Sequence, residues 1–580
     1  MKPKPLIQKL IPTLYEDDRF VIVDKPAGID VGGLPEKGVS GLLELLLAMR
    51  NRTDQSVASG KGDRPRSDSL PALHVINRLS RYESGLLILG KDADSAAFVR
   101  NGLKAQRVEH EFVAVVIGAM NERRIVLESG GEASRGRSRG KVRLGRSNPA
   151  KPVRTTEATL TSLSPLMPTT LTRIAQSKRR VLIRCRTSAA NTHVLRAQLR
   201  SAKLRLLGDN VNDRSPRRQH NESTCLHLAK VTFHHPMLRT RISVASPSPT
   251  TFEAAVDGGV DIDRPCRAGL VRRLACMADT GTNCFRLLTG EREDFPGINV
   301  EKYADVLIIQ LLDERADQRE LLTRVTQWYR DALKVWAVYV KPFVRERTRP
   351  TGDVADRISA PKPFWGDPVE PEIEVRERGL RFAIRPYDGF NVGLFLDHRD
   401  NRSRIREMAG GADVLNLFAY TCGFSVAAAI GGAKSTVSVD LSPKHLEWGR
   451  TNFALNHVDL AEHSFIRSDA FDYLKRAKRQ EKFFDLIVID PPSFAHGNSQ
   501  GGDFSIMTDL PRLVSAAIGQ LRPGGAMMIS TNYRRLSLVG LKERALQGAG
   551  ARRAKIISTP PLPPDFSVDR DHAKTVFLRG

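Results

Sequence analysis

The chain has 580 residues, 41% hydrophobic and 27% charged. That is enough apolar material for packed cores and excludes a mainly disordered protein; at roughly 100–200 residues per domain it predicts three or four domains. The formal net charge is +25, and it is uneven: the first 250 residues carry 43 Lys and Arg against 22 Asp and Glu, the remainder 47 against 43. A surplus of this kind predicts contact with nucleic acid, whose phosphates supply affinity without sequence information.

No apolar run approaches the ~18–20 residues needed to cross a bilayer; Gly41–Met49 is short and contains Glu44. The opening Met1-Lys-Pro-Lys-Pro run has no apolar leader and no Arg/Ser-rich transit character, so the expectation is a cytoplasmic protein without membrane association. The six cysteines are scattered and form no C-x-x-C pair. That pattern argues against a zinc ribbon or a disulfide framework, and no metal is expected.

In chain order, residues 11–31 read as a hairpin, with β-rich Leu14–Asp24 around an acidic turn followed by the turn Lys25-Pro-Ala-Gly28. Residues 51–70, 132–147 and 209–222 are polar loops, and the second interleaves Arg135, Arg137 and Arg139 with Gly and Ser, a composition suited to RNA. Pro/Ser-rich Val244–Thr251 and Pro-rich Pro361–Glu370 mark domain boundaries. Beyond them, strands are predicted at Asp413–Phe418, Ser435–Val439, His463–Arg467, Phe484–Ile489 and Ala526–Ser530. Helices are predicted from Phe424 and over Pro443–Asn456, the latter capped by Ser442. Continuous apolar strands imply a sheet covered on both faces, hence a largely parallel doubly wound α/β fold.

Such sheets bind ligands at the carboxyl ends of their strands, and polar residues collect there: Asn416–Gly423 after the first strand, Asp440 after the second, Asp469 after the third, and Asp490-Pro-Pro-Ser-Phe494 after the fourth. Asp440 lies 24 residues beyond Asn416, close to the distance at which a carboxylate meets a ribose diol. A dinucleotide would require G-x-G-x-x-G, so that backbone could approach a pyrophosphate. This loop has a single glycine among the bulky Phe418, Tyr420 and Phe424. S-adenosylmethionine (SAM), a nucleoside without phosphate, fits better.

Residues 391–500 resemble the class I SAM-dependent 23S rRNA methyltransferases of the RlmI and RlmK/L type. The matching stretches are Gly393-Leu-Phe-Leu-Asp-His-Arg-Asp-Asn-Arg402, Leu415–Ser425, Ser438-Val-Asp-Leu-Ser442, Leu446–Asn456 and Phe484–Phe494. The resemblance extends upstream to Thr282–Leu287 and Phe295–Tyr303, the small domain that precedes the methyltransferase core in these families. It implies a central α+β domain over 255–370 and a Rossmann-like methyltransferase domain over 371–580. It further implies that Asp440 binds the SAM ribose, Asp469 the adenine amine, and Asn416, Phe418, Tyr420, Thr421 and Gly423 the methionine part. Asp397 to Arg402, with Asp397, Arg399 and Asn401 as cofactor residues, would lie over the cofactor and the entering base, joined by Asp490.

The resemblance also bears on which atom is methylated. Making 5-methylcytosine requires a cysteine thiolate to attack ring carbon 6. The RlmI type carries such a cysteine after the fifth strand, where this chain reads Ile529-Ser-Thr-Asn-Tyr-Arg-Arg535. The match is instead to the RlmK half, with an Asp565-Phe-Ser567 tail, and that implies methylation of guanine ring nitrogen 7. A nitrogen lone pair needs only a flipped, stacked and aimed base. Asp490 would accept hydrogen bonds from the guanine edge, Pro491 and Pro492 would stiffen the loop, and Phe494 would stack. An exocyclic amine of guanine or adenine, and 5-methylcytosine, stay open as targets.

The basic half resembles the RluA family of pseudouridine synthases over residues 10–245. The matching residues are Leu14–Asp18, Lys25–Gly28, Asn77–Lys91, Val108–Gly118, Thr192–Arg196, Leu207–Asp209, Leu226–Ala229 and Phe233–Pro236. The fold implied is α+β. The family motif His-Arg-Leu-Asp-x-x-Thr-Ser-Gly places its essential aspartate where this chain has Ser80, and the family's second-motif tyrosine is Phe112. Arg196, the motif arginine, is kept, and no acid near Ser80 obviously substitutes. This half is therefore expected to dock RNA without isomerising it, through Arg78, Arg196 and the Arg135–Arg139 loop. The readings set beside an rRNA methyltransferase are an active or bifunctional synthase and a non-catalytic assembly factor; the charge disfavours a small-molecule substrate.

Overall fold

The computed structural model describes residues 10–32, 41–43, 46, 73–127, 133–134, 168–189, 191–209, 224–238, 240–257, 261–293, 295, 297–342, 353–492, 494–495, 504–550, 554–566 and 572–580, apart from single positions 294 and 296. The chain forms two compact units that divide at Val271/Arg272.

The first unit is built on one mixed sheet. Its central strands are β1 (Phe20–Lys25), β2 (Ser84–Gly90), β3 (Glu109–Ile117), β4 (Thr169–Gln176), β5 (Arg180–Thr187) and β6 (Leu226–His234), in the spatial order β1-β2-β6-β3-β5-β4. β3 and β5 pair antiparallel from His110↔Thr187 to Ile117↔Arg180. Because successive side chains face opposite sides of a sheet, Phe112, Ala114 and Val116 enter the main core. Val113 and Val115 point the other way, onto Phe252, Ala255 and Val256 of the helix Thr251–Asp257. That contact places residues 251–257 with the first unit, beyond the Pro/Ser-rich stretch that reads as a boundary. Helix α1 (Thr192–Ser201) is capped by Asn191, which accepts from the His193 N–H.

The second unit opens with a meander, β7 (Cys284–Thr289), β8 (Ile298–Tyr303) and β9 (Val306–Leu311). Helix α2 (Arg319–Ala332) then returns the chain to β10 (Ala337–Pro342), parallel to β9. A hairpin of Ile373–Glu377 and Leu380–Ile384 leads to α3 (Arg399–Met408).

The doubly wound sheet follows: β11 (Asp413–Leu417), α4 (Gly423–Ile430), β12 (Ser435–Asp440), α5 (Pro443–Leu455), β13 (His463–Arg467), α6 (Ala470–Arg479), β14 (Phe484–Ile489), α7 (Ile506–Ile518), β15 (Leu521–Thr531), α8 (Leu538–Ala549), β16 (Lys555–Ser558) and β17 (Lys574–Arg579). Its order is β13-β12-β11-β14-β15-β17-β16. The first five strands are parallel, β17 runs antiparallel to β15, and β16, antiparallel to β17, runs in the direction of the first five. Leu415, Leu417, Ile487, Ile489, Met527 and Ile529 pack on one face against α6 and α7. Val414, Leu486, Val488 and Met528 pack on the other against Ile405, Phe424 and Ala428. Both faces are covered, which is why these strands are apolar throughout. β15 starts before the Pro523-Gly524-Gly525 turn rather than after it, with an irregular register opposite β14 between Phe484 and Leu486. β11 is flanked by β12 on one side and β14 on the other, so the order reverses between β11 and β14; a crevice opens at such a point.

Candidate active site at the carboxyl ends of the parallel strands

A cavity of about 1330 Å³ lies at that reversal, lined by residues that follow β11, β12, β13 and β14 and by the turn before α3. Of the expected cofactor residues, Asp397, Phe418, Tyr420, Thr421, Gly423, Asp440, Asp469 and Asp490 line it, as do Pro491 and Pro492.

The loop after β11 is strained and tightly held. Phe418, Tyr420 and Cys422 have φ of 57°, 49° and 60°, a left-handed conformation costly for side chains of this size. Neighbours over-determine it. The Tyr420 N–H donates to Asp440 Oδ2 at 2.8 Å, Thr421 Oγ1 donates to the Gly393 carbonyl at 2.6 Å, and Asn452 Nδ2 donates to the Thr421 carbonyl at 2.8 Å. Two glycines permit the close packing. A Cβ on Gly393 would stand 2.2 Å from the Trp448 ring, and one on Gly449 2.4 Å from Cys422 Sγ. Cys422 is a buried packing residue; burial pushes its thiol up to about 12.

Two carboxylates line the cavity beyond β12 and β13. Asp440 closes β12, and its Oδ1 accepts the Ser442 N–H at 2.9 Å. Burial works to raise its pKa, but His445 and the Ser442 and Tyr420 N–H groups hold it below the ordinary carboxylate value, so it is ionised and able to accept from hydroxyls. Asp469 caps α6, its Oδ1 accepting the Phe471 and Asp472 N–H groups. At the other end, Asp490 follows β14 with its side chain partly exposed.

His398 and Phe395 line the cavity too; His398 falls within the expected Asp397–Arg402 stretch, whereas Phe395 escaped the sequence reading, where it is one letter inside a longer motif. His398 Nε2 stands 3.2 Å from Asp490 Oδ2. Burial disfavours its imidazolium, yet the Asp490 and Asp397 carboxylates outweigh burial and raise its pKa. Phe395 is 37% exposed, with its ring 5.3 Å from that of Tyr420. Asp397 stays ionised: burial raises its pKa, but His398, His572, Arg286 and Arg402 outweigh that and lower it.

Three expected cofactor residues turn away from the cavity, which corrects their assignment. Arg399 is buried in a charge cluster, donating to Asp565 Oδ1 at 2.7 Å and Oδ2 at 3.1 Å and to the Cys284 carbonyl at 2.9 Å. Asn401 Nδ2 meets Thr575 Oγ1 and His398 Nδ1. Asn416 Nδ2 donates to Ser425 Oγ inside the sheet. Motif spacing places all three near the site, but the turn of α3 and the pleat of β11 aim them inward. Asp565 also accepts the Arg286 N–H, and Phe566 lies under the Arg286 guanidinium at 4.2 Å. The tail motif thus ties β7 to α3. Ser567 and the side chain of Phe494 lie outside the described residues.

In the first unit Ser80 is exposed, and its N–H donates to Glu83 Oε2 at 2.7 Å. Arg196, expected to contact RNA, is instead buried, and this too is a correction. Its Nη2 donates to Glu83 Oε1 at 2.8 Å and its Nη1 to Asp209 Oδ1 at 2.7 Å. Its position on α1 points it into the fold, where burial of a guanidinium demands such partners. Glu83 therefore faces this arginine directly. Arg78 is exposed, and Arg135, Arg137 and Arg139 lie outside the described residues. Lys25 is fully buried, donating to the Pro26, Ser80 and Glu83 carbonyls.

A doubly wound sheet with one aspartate closing β12, another capping the helix after β13 and no pyrophosphate loop is an α/β domain of the methyltransferase type of fold. Residues 293–576 match the family of S-adenosylmethionine-dependent methyltransferases, and residues 19–201 match the RNA pseudouridylate synthase family. Among individual proteins, the chain is 35% identical over 304 residues to the ribosomal RNA large subunit methyltransferase K/L of Chromohalobacter salexigens, covering 50% of this chain and 38% of that one. It is 46% identical over 166 residues to the K/L protein of a Psychrobacter species, covering 28% and 20%. To the ribosomal RNA large subunit methyltransferase K of Neisseria meningitidis it is 37% identical over 201 residues, covering 35% and 55%. The chain spans at most about half the length of these relatives. A methyltransferase solved in complex with SAH shares the fold, with a TM-score of 0.50 at 24% identity, covering 61% of this chain and 89% of that one. No helix among the described residues is long and apolar enough to cross a membrane.

Proposed function

We propose that this chain is a SAM-dependent methyltransferase of large-subunit (23S) ribosomal RNA that acts on ring nitrogen 7 of a guanine, with a first unit that docks RNA without isomerising it. The observation that carries this reading is the two-ended cavity: Asp440 and Asp469 at one end, Asp490-Pro491-Pro492 at the other. Its volume of about 1330 Å³ exceeds the roughly 300–1,000 Å³ of single-ligand pockets, leaving room for a base beside the cofactor.

The residues present fit SAM. Asp440 is held ionised to accept from ribose hydroxyls, and Asp469 can accept from an adenine amine. Asp397 offers a buried negative charge to an ammonium or sulfonium group. When bound, the cofactor supplies an electrophilic methyl group on sulfur. The protein then has to bind the flipped base, aim its lone pair and exclude water. Phe395, half-exposed at the cavity wall, supplies an aromatic face for the base. Asp490 accepts from its N–H edge, an interaction that strengthens as positive charge develops on a methylating purine. All six cysteines are buried, and none is among the residues lining the cavity. This favours nitrogen over the cysteine-dependent route to 5-methylcytosine.

The test is nucleoside mass spectrometry of 23S rRNA from cells with and without the gene. Loss of one 7-methylguanosine is the expected result. Loss of another methylated base would keep the enzyme class and move the target; loss of a pseudouridine alone would assign the chemistry to the first unit.

A further inference from the structure

His398 sits at the N-cap of α3 with both ring nitrogens committed. Nε2 faces Asp490 Oδ2 at 3.2 Å, and Nδ1 faces Asn401 Nδ2 at 3.0 Å. Asn401 Nδ2 also donates to Thr575 Oγ1 at 2.9 Å, and Thr575 Oγ1 in turn donates to Ser530 Oγ at 3.2 Å. An amide nitrogen only donates, so Nδ1 is the acceptor and the ring proton sits on Nε2, 3.2 Å from Asp490 Oδ2. The Phe424 ring packs edge-on against the imidazole at 5.3 Å and fixes its plane. The charged groups facing it are Asp490 from the end of β14, Asp397 beside it in the chain and Arg402 one turn along α3. Arg286 and His572 face Asp397.

We propose that His398 is a positioning residue for methyl transfer: as a neutral Nε2–H imidazole, oriented by Asn401, it ties down one oxygen of Asp490 and turns the other toward the N–H edge of a guanine in the cavity. This rests on the guanine reading above. In the reaction the guanine nitrogen lone pair forms the N–C bond, the electron pair of the breaking C–S bond returns to sulfur, and no proton moves. Positive charge spreads over the purine as the bond forms, so an anionic acceptor at its edge stabilises the transition state more than the ground state. Neutral His398 leaves the charge of Asp490 intact. An imidazolium offsets that charge, and its Nδ1–H meets the donating face of Asn401. Methyl transfer therefore weakens as pH falls through the His398 titration, which the two carboxylates place above the ordinary histidine value.

The experiment uses the full chain, a transcribed 23S rRNA fragment and methyl-labelled SAM in single turnover across about pH 5.5–8.5. His398→Ala should lose roughly 10- to 100-fold in rate at the alkaline end, the scale of one charge-assisted hydrogen bond. His398→Gln, which keeps an N–H donor without titrating, should recover most of that rate and lose the acid limb. Affinity for SAH, measured by calorimetry, should stay within about threefold in both variants, because neither replaces a group assigned to the nucleoside. In parallel, nitrogen NMR of histidine-labelled protein should show an Nε2–H ring whose titration moves down in Asp490→Asn. A wild-type rate and pH profile in His398→Ala, or an acid limb retained in His398→Gln, overturns the positioning role alone. If the wild-type protein methylates no RNA while the NMR titration shows the pair, the guanine reading falls and the positioning role falls with it.

Discussion

The carboxylate of Glu83 bridges the Ser80 N–H, at 2.7 Å, and Arg196 Nη2, at 2.8 Å. The acid of the first unit is therefore three residues beyond the position where a pseudouridine synthase carries its essential aspartate, and it is saturated by a buried guanidinium. A carboxylate tied at both oxygens has little capacity to act on a substrate. The expected outcome is that the protein releases no tritium from 5-tritiated uridine in rRNA. Arg196→Met should cost about 3–5 kcal/mol of stability, because it leaves the buried Glu83 without its guanidinium and Asp209 with Arg200 alone; urea denaturation of the full chain measures it. An unchanged midpoint would mean that this pair is not the anchor described.

Asp440 carries the ribose assignment. Asp440→Ala removes an ionised acceptor and frees the Tyr420 and Ser442 N–H groups that it holds. Affinity for SAH should fall by about 1.5–3 kcal/mol, or roughly 10- to 100-fold, while affinity for RNA holds. Isothermal calorimetry and filter binding separate the two. An Asp440→Ala protein that binds SAH normally would remove this carboxylate from the site.

Asp490→Asn should behave in the opposite way. SAH and RNA affinities should stay near wild type while methyl transfer drops by about 10²–10³-fold, the scale for losing one transition-state electrostatic contact. Loss of RNA binding together with activity would count against a division of labour between the two units.

Asp565 accepts from Arg399 through both oxygens and also from the Arg286 N–H, all in the core. Asp565→Asn leaves Arg399 buried beside Glu377, 3.8 Å away, as its remaining carboxylate. A destabilisation of about 3–5 kcal/mol is expected, read as a lower urea midpoint for the second unit. A surface-like cost under about 0.5 kcal/mol would show the cluster to be ornamental.

Lys25 provides a pH test of the first unit. Burial lowers its pKa to about 7, against an ordinary 10.5, although Glu83 and Asp30 oppose the shift. Between those values the unfolded chain holds a proton that the folded chain does not, so stability rises with pH through this window. His110 and His227, pushed by burial to about 4, add the same sign but act below about pH 6.5. The slope of stability against pH between about 7 and 9 should therefore shrink in Lys25→Met, as measured by urea titration at each pH. An identical slope in the variant would place the lysine's pKa near its ordinary value.

The sequence alone determined the five parallel strands and two of the helices of the doubly wound sheet, and the class of its cofactor. Apolar strands at Phe484–Ile489 and Ser435–Asp440, the Ser442 cap and the single-glycine loop are local signals, because periodicity, capping and turn chemistry act over a few residues. The same holds for the aspartates that end successive strands, since strand ends and ligand ends coincide in a parallel sheet. The direction in which a side chain points was decided only by the tertiary structure. Arg399, Asn401 and Asn416 stand in the right motifs yet face inward, and Arg196 is sequestered by Glu83 and Asp209. His398 looks like one letter of a longer motif until α3 brings it against Asp490, 92 positions further along the chain. Spacing records which residues can be near a site. Which of them a buried charge recruits as partners depends on contacts hundreds of residues apart, such as Arg286 with Asp565, because an ionised group taken out of water must be paired by whatever the fold brings to it.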